Sequence, residues 1–329
     1  MVSGRKILIT GGTGSFGRAA ARRFLDLDAA EVRILSRDEA KQEVMRRTFA
    51  DPRLTFLIGD IRDRRSVEEA ASGAEIVFHA AALKQVPACE DNPDQAIMTN
   101  VLGSQNVIDA AVSQGVARVV CLSTDKAVQP VNVMGMTKAL MERLVRARAR
   151  RLGGRKPILS CVRYGNVLYS RGSVVPLFVE QATAGTALTV TQPDMTRFLI
   201  RLDEAVRLVE QALTDGEPGD VFVLRSPAAT VADIAEGVRR LFRSDAEIRT
   251  VGIRPGEKVH EVLVTREELA SAESRADSFR LRTRAAPADD LPADYTSQNT
   301  ARLDVDGVMS LLLQVPQVRD RLKQLGLPH

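Results

Sequence analysis

The first half of the chain alternates short apolar runs with stretches whose apolar residues recur at helical spacing. Lys6–Thr10 (KILIT), 32–36, Leu54–Ile58, 76–80 and 119–123 read as strands, and 16–27, 38–49, 66–71, 94–114 and 135–152 as helices. Strict alternation of this kind predicts an α/β fold of Rossmann type, a doubly wound parallel sheet covered by helices on both faces. Beyond about residue 165 the rhythm loosens. Strands at 160–164 and 220–224, helices at 173–184 and 203–214, and a short helix near 304–314 are still readable. The polar, proline-containing stretch 271–301 reads as irregular surface. The expected organisation is a dinucleotide-binding domain over 1–165, its core continuing near 203–224, and a smaller, mainly substrate-binding region over 166–329.

Composition narrows this picture only a little. A chain of 329 residues with 44% hydrophobic and 27% charged residues is an ordinary soluble globular protein. No stretch approaches the roughly 18 apolar residues of a membrane span. The chain also enters its first strand within a few residues, which is expected to leave no room for a signal peptide. The 46 basic residues against 42 acidic ones give a net charge of +4. That excess is too small and scattered for a nucleic-acid binder, but it suits a mildly positive cleft for a phosphorylated ligand. Cys89, Cys121 and Cys161 form neither a disulfide framework nor a metal site, so no metal is expected and a reducing, cytoplasmic compartment is.

The clearest chemistry lies directly after the first strand, at Gly11-Gly12-Thr13-Gly14-Ser15-Phe16-Gly17. Glycines at 11, 14 and 17 allow a sharp turn, close approach to a pyrophosphate and tight packing of the next helix, whose N-terminus faces the phosphates. The second strand ends at Ser36-Arg37-Asp38, where the adenosine ribose is read. Arg37 with Lys41 would pair with a 2′-phosphate, which favours NADP over NAD. Asp60-Ile61 sits where an adenine amine needs an acceptor, and Ala80-Ala81-Ala82 supplies small side chains beside the cofactor. After the fifth strand come Ser123-Thr124-Asp125-Lys126, in the crevice where such folds bind ligands, and Lys138 on the following helix can reach the nicotinamide ribose.

These residues carry a resemblance. The stretches ITGGTGSFG, SRDEAKQ, GDIRD, HAAALKQVP, LSTDKAVQPVNVMGMTK, RYGNVLYSRGSVVP, MTRF and IRPGEKVHE, spread over residues 9 to 261, resemble the extended short-chain dehydrogenase/reductase superfamily. Within it they are similar to the UDP-N-acetylglucosamine 4,6-dehydratases of bacterial surface-sugar biosynthesis. The resemblance implies a carbon–oxygen lyase with a tightly bound NAD(P), and a homo-oligomer. Its reaction is oxidation at C4 of the sugar, removal of the C5 proton, loss of the C6 hydroxyl as water, and hydride return to C6. It implies that Asp125 and Lys126 perform the elimination, that Thr124 orients them or binds the 4-oxygen, and that Lys138 and Tyr164 stand at the cofactor; Lys126 is expected to take the C5 proton if burial lowers its pKa. Lys84, Asn166, Arg171 and Ser173 are implied for the sugar and diphosphate. Thr196, Arg197, Arg254 and Glu257 are implied for the diphosphate and uridine end, with His79 and His260 structural.

One departure is chemical. The superfamily's Tyr-x-x-x-Lys pair implies tyrosine at position 134, where this chain has methionine. A thioether cannot exchange the C4 hydroxyl proton. Asp125 is expected to take over that step, with Tyr169 a second candidate. A nucleotide-sugar 4-epimerase, a dehydratase forming a 5,6-alkene, and a non-catalytic dinucleotide-binding redox sensor are the alternatives.

Overall fold

Short β-branched and leucine-rich runs form a parallel sheet whose central strands are covered by helices on both faces. The computed structural model describes residues 1–283 and 291–328. Strands β1 (Lys6–Thr10), β2 (Glu31–Ser36), β3 (Leu54–Ile58), β4 (Ile76–His79), β5 (Arg118–Leu122) and β6 (Ile158–Arg163) are all parallel. They lie in the order β6-β5-β4-β1-β2-β3, and the order reverses beside β1, which opens a crevice at the strands' C-terminal ends. One apolar core, with Leu8, Val77, Val119 and Leu159, lies on one face, and another, with Ile7, Phe24, Phe78 and Phe222, on the other.

After β6 the chain leaves the sheet and comes back. Leu202–Asp215, an amphipathic helix, buries Ala205, Leu208 and Ala212 in the second core, and Val221–Leu224 pairs in parallel with β6. The remaining segments build a third core from Phe178, Leu199, Ile234, Val238 and Leu312. Val231–Leu241 and Pro316–Gln324 are helices that the coarse periodicity reading passed over.

The expectation of irregular surface over 271–301 is corrected. Ala272–Ser274 and Ser278–Leu281 are antiparallel strands that extend the main sheet beyond Val221–Leu224. The misleading residue is Arg280, which is buried but finds charged partners in Asp220 and Glu217, so a polar position sits inside a strand. Of that stretch, 284–290 lie outside the described residues. Among the described residues no helix is long and apolar enough to cross a membrane.

Candidate active site

The glycine turn is built by what cannot fit there. Gly11 has a φ of +68°, and a Cβ on it would lie 2.7 Å from the Ala81 backbone. A Cβ on Gly17 would lie 2.4 Å from Gly12 Cα. Any side chain would therefore push apart β1, the loop after β4 and the helix Ser15–Asp26. Gly14 N donates to the Gly11 carbonyl and precedes that helix, so Ser15, Phe16 and Gly17 begin its first turn. Thr13 Oγ1 lies 2.8 Å from Ser36 Oγ, joining the turn to the end of β2. Phe16 stacks on Tyr164, centroids 5.4 Å apart.

At the end of β2 the charges are already paired. Asp38 caps the helix Glu39–Phe49 by accepting from Lys41 N at 2.9 Å, and Lys41 Nζ closes on the same carboxylate. Lys41 is the chief cause, with Arg171 a lesser one, that holds the Asp38 carboxyl below its usual range. Arg37 reaches Asp60 at 3.4 Å. Burial opposes ionisation of Asp60, but hydrogen bonds from Arg62 and the charge of Arg37 outweigh it and keep its pKa low. Ile61 is buried beneath, and Ala80, Ala81 and Ala82 are half-buried along the loop after β4.

The acid/base residues sit on a single 3-10 turn, Asp125–Ala127, at the end of β5. Thr124 caps it and donates from Oγ1 to Asp125 Oδ1 at 2.8 Å. Lys126 Nζ donates to the same oxygen at 3.1 Å. Asp125 is fully buried, its backbone N–H bonded to the Tyr164 carbonyl, and its Oδ2 has no hydrogen-bond partner. Neighbouring Ser123 donates from Oγ to Glu142.

Two residues that motif reading had not singled out complete this cluster. Glu261 is 3% exposed and stands 3.4 Å from Lys126 Nζ, and Lys258 Nζ lies 3.8 Å from its other oxygen. The loop that carries them is clamped onto the Thr-Asp-Lys segment: Asn132 Nδ2 donates to the Gly256 carbonyl, and Lys258 Nζ to that of Val128. Both lie in the IRPGEKVHE run, whose place in space only the fold reveals. The expectation that burial leaves Lys126 a weakened base is corrected. Burial does push its pKa down, but the Asp125 and Glu261 carboxylates outweigh it and raise it. Arg197 is close enough to oppose them.

Lys138 is buried, not exposed on its helix. Nζ donates to the Leu122 carbonyl at 2.6 Å, and burial lowers its pKa. One turn earlier, Met134 is buried against Cys89 and Ala96. Tyr169 has a φ of +57° and packs against the third core. Asn100, also unforeseen, sits in a π-helical turn and bonds both backbone groups of Leu83 together with Thr137. It thereby fixes the loop that carries Lys84.

The residues implied for the substrate fall into two sets. Lys84 Nζ donates to the Arg171 carbonyl at 2.8 Å, and its pKa is lowered by burial and by the Arg171 charge. Asn166 Oδ1, Ser173 Oγ and Glu257 Oε2 are buried without hydrogen-bond partners. Thr196, by contrast, is fully engaged by His260 and Ser297, and Arg197 donates to the Thr196 and Val259 carbonyls. Arg254 lies in the exposed loop, its carbonyl accepting from Glu257 N.

A family model described as "Polysaccharide biosynthesis protein" matches residues 7–283, and a second, "Polysaccharide biosynthesis protein C-terminal", matches 289–319. A "UDP-glucose 4-epimerase" of Rickettsia canadensis is 48% identical over 97% of this chain and 98% of its own; one of Rickettsia rickettsii is 47% identical with the same coverage. Among solved structures, Pen from Bacillus thuringiensis superposes with a TM-score of 0.90 at 34% identity, covering 95% of this chain and 99% of that one. DesIV, a dTDP-glucose 4,6-dehydratase from Streptomyces venezuelae solved with NAD and TYD, gives 0.71 at 26% identity over 77% and 86%.

Proposed function

We propose that this chain, which belongs to the polysaccharide biosynthesis protein family, is a nucleotide-sugar 4,6-dehydratase that converts UDP-N-acetylglucosamine to a 4-keto-6-deoxy sugar. The observation that carries this reading is the acid/base cluster of Asp125, Lys126 and Glu261, in which the buried Asp125 Oδ2 and Glu261 Oε2 accept no hydrogen bond. An epimerase exchanges one proton at the 4-oxygen; a dehydratase must also remove a C5 proton and protonate a leaving hydroxyl, which takes an acid and a base together.

The glycine cradle fits a dinucleotide, since a Cβ on Gly11 or Gly17 would run into backbone atoms of the crevice wall. When bound, the dinucleotide supplies the acceptor for hydride from C4 and its donor to C6. Gly11, Gly14 and the helix N-terminus at Ser15 would hold the pyrophosphate, and Lys138 and Tyr164 would serve the nicotinamide end. Arg37 and Lys41 favour NADP, whereas the Asp38 carboxylate between them would suit the free 2′-hydroxyl of NAD. Mass spectrometry of cofactor released from denatured protein decides between the two, and NADP is expected.

Asp125 takes the C4 hydroxyl proton on Oδ2, because Met134 presents only a thioether, packed in an apolar cluster with Cys89 and Ala96. It later gives that proton to the departing C6 hydroxyl. Thr124 fixes Oδ1 and so aims Oδ2. Lys126 removes the C5 proton. Lys84, Asn166, Arg171 and Ser173 line the sugar and diphosphate side, with Arg197, Arg254 and Glu257 toward the nucleotide. Self-association fits the exposed Ile97, Met98, Leu102, Met136 and Leu140.

Incubation with UDP-N-acetylglucosamine in deuterated solvent tests this. Loss of one water, with deuterium at C5, is expected. A second reading, 4-epimerisation, is favoured by the names of the Rickettsia relatives. It predicts unchanged mass and no solvent deuterium, and that result would refute the dehydratase.

A further inference from the structure

A base at C5 must be a neutral amine, yet Lys126 is held between two buried carboxylates that keep it an ammonium. Something must take its proton before it can act. The Lys126 side chain is 23% exposed, but the acceptors against Nζ are Asp125 and Glu261, themselves 0% and 3% exposed, so a neighbouring carboxylate is better placed than bulk water to do so. We propose that Glu261 is the positioning residue that receives the Lys126 proton, so that a carboxylate from the distant RPGEKVHE loop switches the C5 base on. The proposal rests on the dehydratase reading.

The geometry gives the order of events. Asp125 Oδ1 and Glu261 Oε1 lie 3.1 and 3.4 Å from Lys126 Nζ, so the ammonium is shared. When Asp125 accepts the C4 hydroxyl proton, one of the two charges that hold it vanishes. The ammonium then faces Glu261 alone, and in a buried site an ion pair and its neutral counterpart lie close in energy. The Nζ–H bond breaks, Glu261 gains the proton, and Lys126 is left with the free electron pair that takes the C5 proton. Asp125 passes its own proton to the C6 hydroxyl, which leaves as water. After hydride reaches C6, Lys126 returns a proton to C5 and recovers one from Glu261. Every proton is accounted for, and the carboxylates end as they began.

Glu261 is built for this role. Its backbone N–H is fixed by Ser297 Oγ at 2.9 Å, and Ser297 Oγ is bonded to Thr196. Its Oε2 accepts no hydrogen bond, while Lys258 Nζ stands 3.8 Å away as a counter-charge. The charged and titratable groups facing the pair are Asp125, Lys258 and Arg197, with the Tyr164 phenol near Asp125. Lys258 Nζ stands farther from Glu261 than Lys126 Nζ does, 3.8 Å against 3.4 Å, and is already committed to the Val128 carbonyl.

The test compares wild type, Glu261→Gln and Glu261→Asp. In Glu261→Gln, single-turnover reduction of bound cofactor by substrate should fall far less than exchange at C5. C5 deuterium exchange should fall by about 10²-fold at neutral pH, with the deficit shrinking as pH rises, because bulk base then replaces the lost acceptor. Glu261→Asp should recover part of the exchange, and it carries the test if Glu261→Gln fails to fold. Equal exchange in the variants and wild type, or a deficit constant across pH, would overturn the assignment. Acetylation of Lys126 by acetic anhydride, read by peptide mass, needs no turnover. It should be faster in Glu261→Gln, which lacks one of the two charges raising the amine's proton affinity. If wild type releases no water, the dehydratase reading fails; unchanged acetylation would separately remove Glu261 from the cluster.

Discussion

Two buried ion clusters lie close together on this fold, and they are finished differently. In one, the Arg163 side chain is 3% exposed and spends all five guanidinium donors: on Glu142 at 3.1 and 2.6 Å, on Glu268 at 2.8 and 3.2 Å, and on the Leu263 carbonyl at 2.8 Å. Burial lowers the Arg163 pKa, but the two carboxylates outweigh it and drive it higher. In the other, Lys126 is shared loosely between Asp125 and Glu261, each of which leaves one buried oxygen without a hydrogen bond. Both set two carboxylates around a central cation, Arg163 in one and Lys126 in the other, with Lys258 an outlying counter-charge in the second. A saturated cluster locks β6 to the C-terminal region, while an unsaturated one keeps lone pairs aimed where a substrate can use them.

This contrast can be broken from either side. The largest effect is expected from Asp125→Asn, which removes the carboxylate that exchanges protons with the sugar. Turnover should drop by about 10³-fold or more, with little change in Tm and no reduction of bound cofactor in a single turnover. Full reduction in that variant would remove Asp125 from the C4 step. Arg163→Met should do the reverse. It strands Glu142 and Glu268 without a counter-charge, and urea unfolding should show a loss of about 3–5 kcal/mol. Variant protein that still folds should retain most of its turnover.

The same difference explains what could be read before the fold was known. The glycine turn is local: its residues are consecutive, its geometry is a backbone property, and its helix follows at once, so Gly11 to Gly17 were legible as a unit. The strands β1 to β6 were legible for a similar reason, since each is a short run rich in β-branched residues and leucine, even the edge strand β3 with Leu57 and Ile58 exposed. Glu261 and Lys258 were not, because their role depends on a loop crossing the mouth of β5, and nothing near them in sequence records that crossing. Arg280 hid a strand in the same way, its partners Asp220 and Glu217 lying on another segment. Lys126 shows a further limit: burial alone suggested a weakened base, and only the second carboxylate reverses the sign.

A smaller effect is expected at Met134. If the missing phenol were a simple deletion, Met134→Tyr should raise activity. Met134 is 4% exposed and packed against Cys89 and Ala96, however, so a larger ring overpacks that pocket at a cost of about 1–3 kcal/mol. Lower Tm with no gain in turnover is the expected outcome. A clear gain would mean that the proton route through Asp125 is the lesser one.

The smallest effect concerns His79, a neutral counterpart to both ion clusters. Its ring is fully buried between Thr10 Oγ1 at 2.7 Å and Ser104 Oγ at 2.8 Å, and burial, with the Lys138 charge, pushes its pKa down to about 3. The unfolded chain, with this group near 6.5, binds a proton that the folded state refuses. Its contribution is therefore complete above pH 6.5 and is lost progressively as pH falls toward 3. Between 6.5 and about 5, before carboxylates titrate, the unfolding free energy should fall by up to about 1.4 kcal/mol per pH unit from this group. Urea titrations of wild type and His79→Gln across that window should show the slope reduced in the variant. An equal slope would mean that His79 opens to water well before the fold does, and that its two hydroxyl partners do not hold the ring neutral.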